Sequence, residues 1–251
     1  MSLQDFVRDL PPREPTLVVV NRTEPRPVQS LLEATFDAQT VAVVEESIPD
    51  AGEDIVLLVE DGTVTASSSL TSLEEHLLLV NTDLFATGSR SLETVELPDV
   101  LAALDDVPFR LRGYPESNRE KLLLVLVSRF IERQALEGGA GTLRTGFQRL
   151  SRIEDERGTR FAYERLAESG VDVHVYGVPD WMPPPDLDVV AHGAHLDELR
   201  ESWFVVFVPP AGRDSHYALV AVEQSPRTWA GFWTRDAEYV AEIHRYLEET
   251  L

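Results

Sequence analysis

Cysteine is absent from the 251 residues, which excludes disulfides, thiolate nucleophiles and cysteine-type zinc sites. Lysine occurs once, at Lys121, among 22 basic residues. The apolar runs, such as Leu122 to Val127, are far too short to span a bilayer. The N-terminal segment MSLQDFVRDL carries Asp5 and Asp9 and lacks the apolar stretch of a signal peptide. A cytoplasmic chain without a membrane span is therefore expected. Reactive motifs are missing too: there is no G-x-x-x-x-G-K-[ST], no G-x-G-x-x-G after a strand and no G-x-S-x-G. Serine, histidine and aspartate all occur, but at no spacing that suggests a triad.

Positive charge is the other scarcity. Against 44 acidic residues the 22 basic ones leave a net charge of -22. In dilute salt such a charge opposes compaction by self-repulsion. At molar salt the Debye length falls to roughly 3 Å and the repulsion is nearly screened. Scarce lysine points the same way, because its long stem adds apolar surface that concentrated salt penalises. The composition suits a salt-rich, halophilic cytoplasm, with an acidic protein of a GC-rich mesophile as the alternative. It argues against nucleic acid as partner, since phosphate neutralisation needs a basic face. Hydrophobic residues make up 43%, enough for a real core.

The pattern along the chain predicts an α/β protein of mixed β-sheets flanked by helices, in two halves. Residues 1–106 read as an N-terminal half and 115–251 as a second, with the boundary among Pro108, Gly113 and Pro115. In the first half Ser2 caps a helix over Leu3 to Leu10, and Leu17 to Val20 is a strand. A helix follows from Pro27 to Phe36, then a buried strand over Val41 to Val44. Ile55 to Val59 and Thr63 to Ala66 form a hairpin about Asp61-Gly62. Ser72-x-x-Glu75 reads as a capping box, and Leu97 to Asp105 as a helix. In the second half another box, Ser117-x-x-Glu120, opens a helix to about Ala135 that is apolar nearly all round. A strand over Leu143 to Phe147 follows. Next come a helix over Arg160 to Ser169 with Phe161, Leu166 and Ala167 facing the core, and a strand over Val171 to Tyr176. Strands at Trp203 to Val208, Tyr217 to Val222 and Thr228 to Trp233 precede a final helix capped by Asp236. The order of elements is similar in the two halves, which leaves an internal duplication open.

Three groups of side chains carry chemistry. Arg144, Arg149, Arg152, Arg157, Arg160 and Arg165 cluster with Glu154, Asp155, Glu156 and Glu164. Arginine forks grip phosphate or carboxylate; alternating signs equally suit an ion-pair network bracing a loop and helix. His192 and His195 lie near Asp186 and Asp188, but in a Pro/Gly-rich stretch they read as solvated histidines rather than metal ligands. Trp181, Trp203, Trp229 and Trp233 all follow residue 180 and either line a pocket or pack the core.

The segment TLRTGFQRLSRIEDERGTRFAYERLAESGVDVHVYGVPD, then WFVVF, ALVAVE and AGFWTRDAEYV, resembles the DICT sensory domain family. Arg235 stands where that family usually has an aromatic. The resemblance covers about residues 115–250 and extends to stand-alone haloarchaeal proteins of this type. It implies a sensory input module for signalling, proposed for light-related responses, and supplies no catalytic residues and no named cofactor. The expected function is non-enzymatic binding of a small ligand or a signalling protein partner. Phe147, Arg149, Arg152, Tyr163, His174, Tyr176, Trp181, Trp203 and Trp233 are the candidate contacts. Two alternatives stand beside it. One is an enzyme holding a nucleotide or phosphorylated substrate on Arg149 and Arg152, with Glu154 or Asp155 as base. The other is a homo-oligomeric scaffold joined through the tryptophans.

Overall fold

A computed structural model describes residues 1–11, 13–23, 33, 36, 39–81, 92, 95–112 and 118–251. The expected helix from Pro27 to Phe36 lies outside them except at Glu33 and Phe36, and so does the capping serine Ser117.

Helix α1 (Leu3–Arg8) opens the chain. Ser2 and Asp5 cap it reciprocally, each side chain bonding the other's backbone N–H. A four-stranded sheet follows, built from β1 (Thr16–Val20), β2 (Ala42–Glu46), β3 (Ile55–Glu60) and β4 (Thr63–Ser69) in the order β2-β1-β3-β4. Central β1 is buried from Leu17 to Val20, as its run of β-branched residues requires. Asp61 and Gly62, both at positive φ (49° and 75°), make the tight turn the Asp-Gly pair predicts.

Three local readings need correction. Strand β2 is an edge strand and largely exposed; its apolar residues are too few to cover both faces, and Glu45 and Glu46 belong to it. Helix α2 (Leu70–Asn81) starts before Ser72. Strand β4 runs straight into it, and Ser69 Oγ accepts from the Ser72 backbone N–H at 3.0 Å, so the cap lies three residues upstream of the expected box. The helix expected from Leu97 to Asp105 shrinks to the single turn α3 (Asp99–Ala102).

The seven-stranded sheet contains β5 (Phe109–Arg112), β6 (Thr142–Arg149), β7 (Asp172–Val178), β8 (Val190–Gly193), β9 (Ser202–Val208), β10 (Tyr217–Ser225) and β11 (Thr228–Thr234). Its order is β5-β11-β10-β9-β6-β7-β8. The β6-β7-β8 trio is parallel, and the other pairs are antiparallel. Helices α4 (Asn118–Gly138), α5 (Arg152–Asp155), α6 (Arg157–Ala167), α7 (Asp197–Arg200) and α8 (Ala237–Thr250) complete the chain.

Alternation along the strands divides the sheet into two buried faces. Leu143, Val173, Val175, Val205 and Phe207 pack with Leu124, Val127 and Ile131 of α4 and Leu166 of α6, in a core shared with Leu17, Val56 and Leu58 of the smaller sheet. Tyr176, Phe204, Val206, Val220 and Phe232 pack on the opposite side against Leu3 and Phe6 of α1 and Val240, Ile243 and Leu247 of α8. Leu166 faces the core as expected and Ala167 is partly buried against it, but Phe161 is 41% exposed; α6 turns Ala162 and Tyr163 inward instead.

The two sheets share a pattern. Within the larger one, β7-β6-β9-β10 repeats β2-β1-β3-β4. In each set the first pair is parallel and the next two are antiparallel. The similarity of element order thus extends to strand order and direction.

Candidate functional site

The parallel register aligns Arg144, His174 and Val190 in one row, and Gly146, Tyr176 and His192 in the next. Arg144, His174, Tyr176 and His192 meet on the face covered by α8, which adds His244 and Glu248. Arg144 is 4% exposed. Its Nη1 donates to Tyr176 Oη at 2.5 Å, its Nη2 to Glu248 Oε1 at 3.0 Å and its Nε to His244 Nδ1 at 3.3 Å. The guanidinium therefore joins the sheet to the last two turns of α8. Gly146 leaves room beside it: a Cβ there would sit 2.4 Å from the Phe204 ring.

The histidines continue the network outward. His192 lies flat on Tyr176, with ring centroids 4.3 Å apart and planes within 7°. Its Nε2 is 2.8 Å from His174 Nδ1, and His174 Nε2 is 3.0 Å from Asp172 Oδ2. A neutral His174 that donates to Asp172 accepts from His192 Nε2–H, so one tautomer of each ring satisfies the chain. Burial comes first, and repulsion from Arg144 and from any charge on His174 adds to it; together they hold His192 below its ordinary pKa. Burial and Arg144 do the same for His244, against the opposing pull of Glu248. Burial raises Tyr176, which Arg144 partly offsets. Arg144 is the fixed cation of this cluster, with Glu248 as its paired carboxylate.

A second polar cluster lies on the opposite face. Arg129 Nη1 donates to Glu132 Oε2 and Nη2 to Thr159 Oγ1, each at 2.6 Å. Tyr163 Oη donates to Glu132 Oε1 at 3.2 Å, and Thr159 Oγ1 to Glu156 Oε2 at 3.0 Å. Burial, then the charge of Glu132, pushes the Tyr163 phenol far up. This network ties α4 to α6.

The nine residues expected to make contacts fall in several places. His174 and Tyr176 share the Arg144 cluster. Phe147 and Tyr163 meet edge to face at 5.1 Å on the other side, and Tyr163 is fully buried. Past a register break in β6, Arg149 is 70% exposed with its Nη1 3.9 Å from Asp180. That site sits at the carboxyl ends of β6 and β7, and Trp181 follows there, partly buried. Arg152 pairs with Glu156 at 3.9 Å. Trp203 packs on the rim of the larger core. Trp233, 3% exposed, lies under the Arg235 guanidinium at 5.8 Å. It borders a shallow apolar depression with Phe36, Val41, Leu101, Leu104 and Leu123.

Most of the arginine cluster is the ion-pair network: Arg160 bonds Glu154 and Glu164, and Arg165 lies near Glu168. Arg144 is the exception. His192 is half-buried in strand β8 rather than in a solvated loop, because the chain after the proline run returns to pair with β7. His244 and Glu248 went unrecognised as site residues. Their spacing on a helix capped by Asp236 and the parity shared by Arg144, His174 and Tyr176 were the available signals. Among the described residues no group of three or more histidine, aspartate or glutamate side chains is arranged to hold a metal. None of the described helices is long and apolar enough to cross a membrane.

Residues 100–224 match the model of the DICT family, described as a sensory domain in diguanylate cyclases and two-component systems. The match supports the resemblance read from the sequence and a sensory role. It runs from α3 almost to the end of β10 and stops short of β11 and α8. No curated protein matches the chain. Among solved structures, polyphosphate kinase from Porphyromonas gingivalis is similar over 63% of this chain at 15% identity and a TM-score of 0.35. The chain spans 26% of that kinase, and so slight a likeness carries no argument about activity.

Proposed function

We propose, with the DICT match over residues 100–224 as premise, that this chain is a non-enzymatic sensory protein. It takes up a small ligand or a signalling partner and passes its state on by contact. We place it in a halophilic, archaeal cytoplasm, in a light- or environment-related response, with residues 1–106 and 115–251 as its two halves. The input lies at the Arg144–Tyr176–His174–His192 cluster. The exposed edge at Arg149, Arg152 and Trp181 is the contact surface. The family match carries the reading. The buried cation inside the matched segment gives it a place to act, because a charge held in the interior responds strongly to whatever exchanges for its partner. A scaffold joined through Trp229 and Trp233 finds no support, since both are under 5% exposed within the chain's own core.

The test is native mass spectrometry of protein isolated at high salt, followed by hydrogen exchange before and after any retained molecule is removed. A retained small molecule whose loss alters exchange in β6 to β8 or at Arg149 and Arg152 supports the reading. Unchanged retention and unchanged partner binding in an Arg149→Ala/Arg152→Ala variant would show that the contact surface lies elsewhere. Turnover of added nucleotide by the pure protein would instead favour an enzyme.

A further inference from the structure

We infer that the Arg144 cluster is an oxyanion site, occupied by the protein's own Glu248 carboxylate, and that a phosphate or carboxylate ligand entering it frees the last turn of α8. The inference rests on the sensory reading above and names the ligand class.

The argument begins with Arg144. An arginine that is 4% exposed keeps its charge and needs an anion or several strong acceptors. The groups facing it are Tyr176, His174 and Asp172 from β7, His192 from β8, and His244 and Glu248 from α8. Of the two carboxylates, Asp172 bonds His174 and lies at the rim, 61% exposed. Only Glu248 is seen to pair with the guanidinium among the described residues. The Glu248 side chain is itself 59% exposed and sits near the end of the C-terminal helix. Its departure costs little packing, while its carboxylate fills the place that two oxygens of a phosphate or of another carboxylate would take. An entering oxyanion needs no new cavity, because it takes the position of the group it displaces.

The surrounding imidazoles favour such an exchange. His244 accepts from the guanidinium and His192 stacks on its partner Tyr176; Arg144 lowers the pKa of both rings, and each gains from protonation once an anion of higher charge replaces Glu248. Oxyanion uptake should therefore be accompanied by proton uptake and strengthen as pH falls. The mechanical result is local. Val240, Ile243 and Leu247 keep α8 packed on the sheet, so only the segment beyond them loses its tie.

The test is calorimetric titration of the full chain with inorganic phosphate, and in a second arm with acetate, at constant ionic strength. Glu248→Gln should bind roughly two- to fivefold more tightly than the parent, since an internal competitor worth about one partly exposed ion pair is removed. Arg144→Gln should lose binding, and Arg149→Gln should not. Tighter binding of phosphate than acetate assigns a phosphorylated ligand, and the reverse assigns a carboxylate. Because Arg144→Gln could disturb folding, the ring signals of His192 and His244 provide a second readout in the parent and in Glu248→Gln. Phosphate should raise both titration midpoints. Equal affinities in the parent and Glu248→Gln, or no binding of either anion, would overturn the site. Binding without faster hydrogen exchange in residues 248–251 would overturn the release of α8. If both anions fail while a retained native molecule still alters exchange elsewhere, the sensory reading stands and only the oxyanion assignment falls.

Discussion

Arg144 and Glu248, 104 residues apart in sequence, meet at 3.0 Å. Arg144 lies on β6, inside the segment that matches the DICT family; Glu248 lies on α8, beyond its end. The pair is thus a physical link between the matched segment and an element outside it. A change at the guanidinium reaches α8 directly through Glu248 and His244. It reaches β7 and β8 through Tyr176 and the stacked His192.

That link has a pH signature. His192 and His244 titrate lower in the folded chain than their ordinary 6.5. The unfolded chain therefore binds more protons than the folded one between those values, and stability rises with pH across that window. The contribution is fully present above 6.5 and is lost as pH falls toward the depressed folded values. Urea midpoints measured from pH 5 to 7.5 should climb. The climb should be smaller in His192→Phe/His244→Gln, which keeps the stack on Tyr176 and the acceptor for Arg144 but removes both titrations.

Two glycines should answer differently to alanine. At Gly146 the added Cβ meets the Phe204 ring at 2.4 Å; at Gly231 it meets the Val220 carbonyl oxygen at 2.4 Å and Ala221 Cα at 2.8 Å. Each substitution overpacks the sheet, with a cost of about 1–3 kcal/mol at Gly146. Trimming Phe204 to leucine should recover part of the Gly146→Ala loss. No side-chain change clears a backbone carbonyl, so Gly231→Ala should resist rescue. Thermal melts of the single and double variants distinguish the two cases.

The elements most legible in the sequence were those whose signal is local. Asp61-Gly62, the Ser2 cap and the apolar strands from Trp203 onward depend on near neighbours, and they fold as read. Strand β8 depends on a pairing with β7, so its Val190 and His192 carry no local mark, and His192 passed for a loop residue. The site suffered most from this. His174 and Tyr176 were visible because they share parity on one strand. Arg144, His192, His244 and Glu248 come together only through sheet register and helix docking. Tyr163 looked like a surface contact because α6 is rich in charge, yet rotation of the helix by one position, away from Phe161, puts it in the core.

The buried Arg129–Glu132 pair predicts an asymmetric response. Glu132→Gln leaves a buried guanidinium without its counter-charge, a change that costs about 3–5 kcal/mol in comparable sites. Tyr163→Phe removes only the 3.2 Å bond to Glu132 and should cost about 1 kcal/mol. Arg129→Met/Glu132→Leu removes both charges and should be milder than Glu132→Gln alone. Denaturant unfolding of the three variants measures the order, and a double variant worse than Glu132→Gln would contradict this account.

The net charge of -22 gives the last prediction. Ion pairs such as Arg160 with Glu164 and Arg200 with Asp197 have at least one half-exposed partner, so each loses strength as salt rises. Repulsion among the excess carboxylates is screened by the same salt, and it extends over more of the surface. The Debye length falls from about 10 Å at 0.1 M to about 3 Å at 1 M. With twice as many acidic as basic residues, 44 against 22, relief of repulsion should outweigh the loss of pairing. The melting temperature should rise steadily between 0.1 and 2 M KCl. Replacing exposed Glu46 and Glu53 by glutamine should raise it at 0.1 M and leave it nearly unchanged at 2 M. A melting temperature that is flat or falling with KCl would show that the ion pairs dominate and that the acidic surface is not an adaptation to salt.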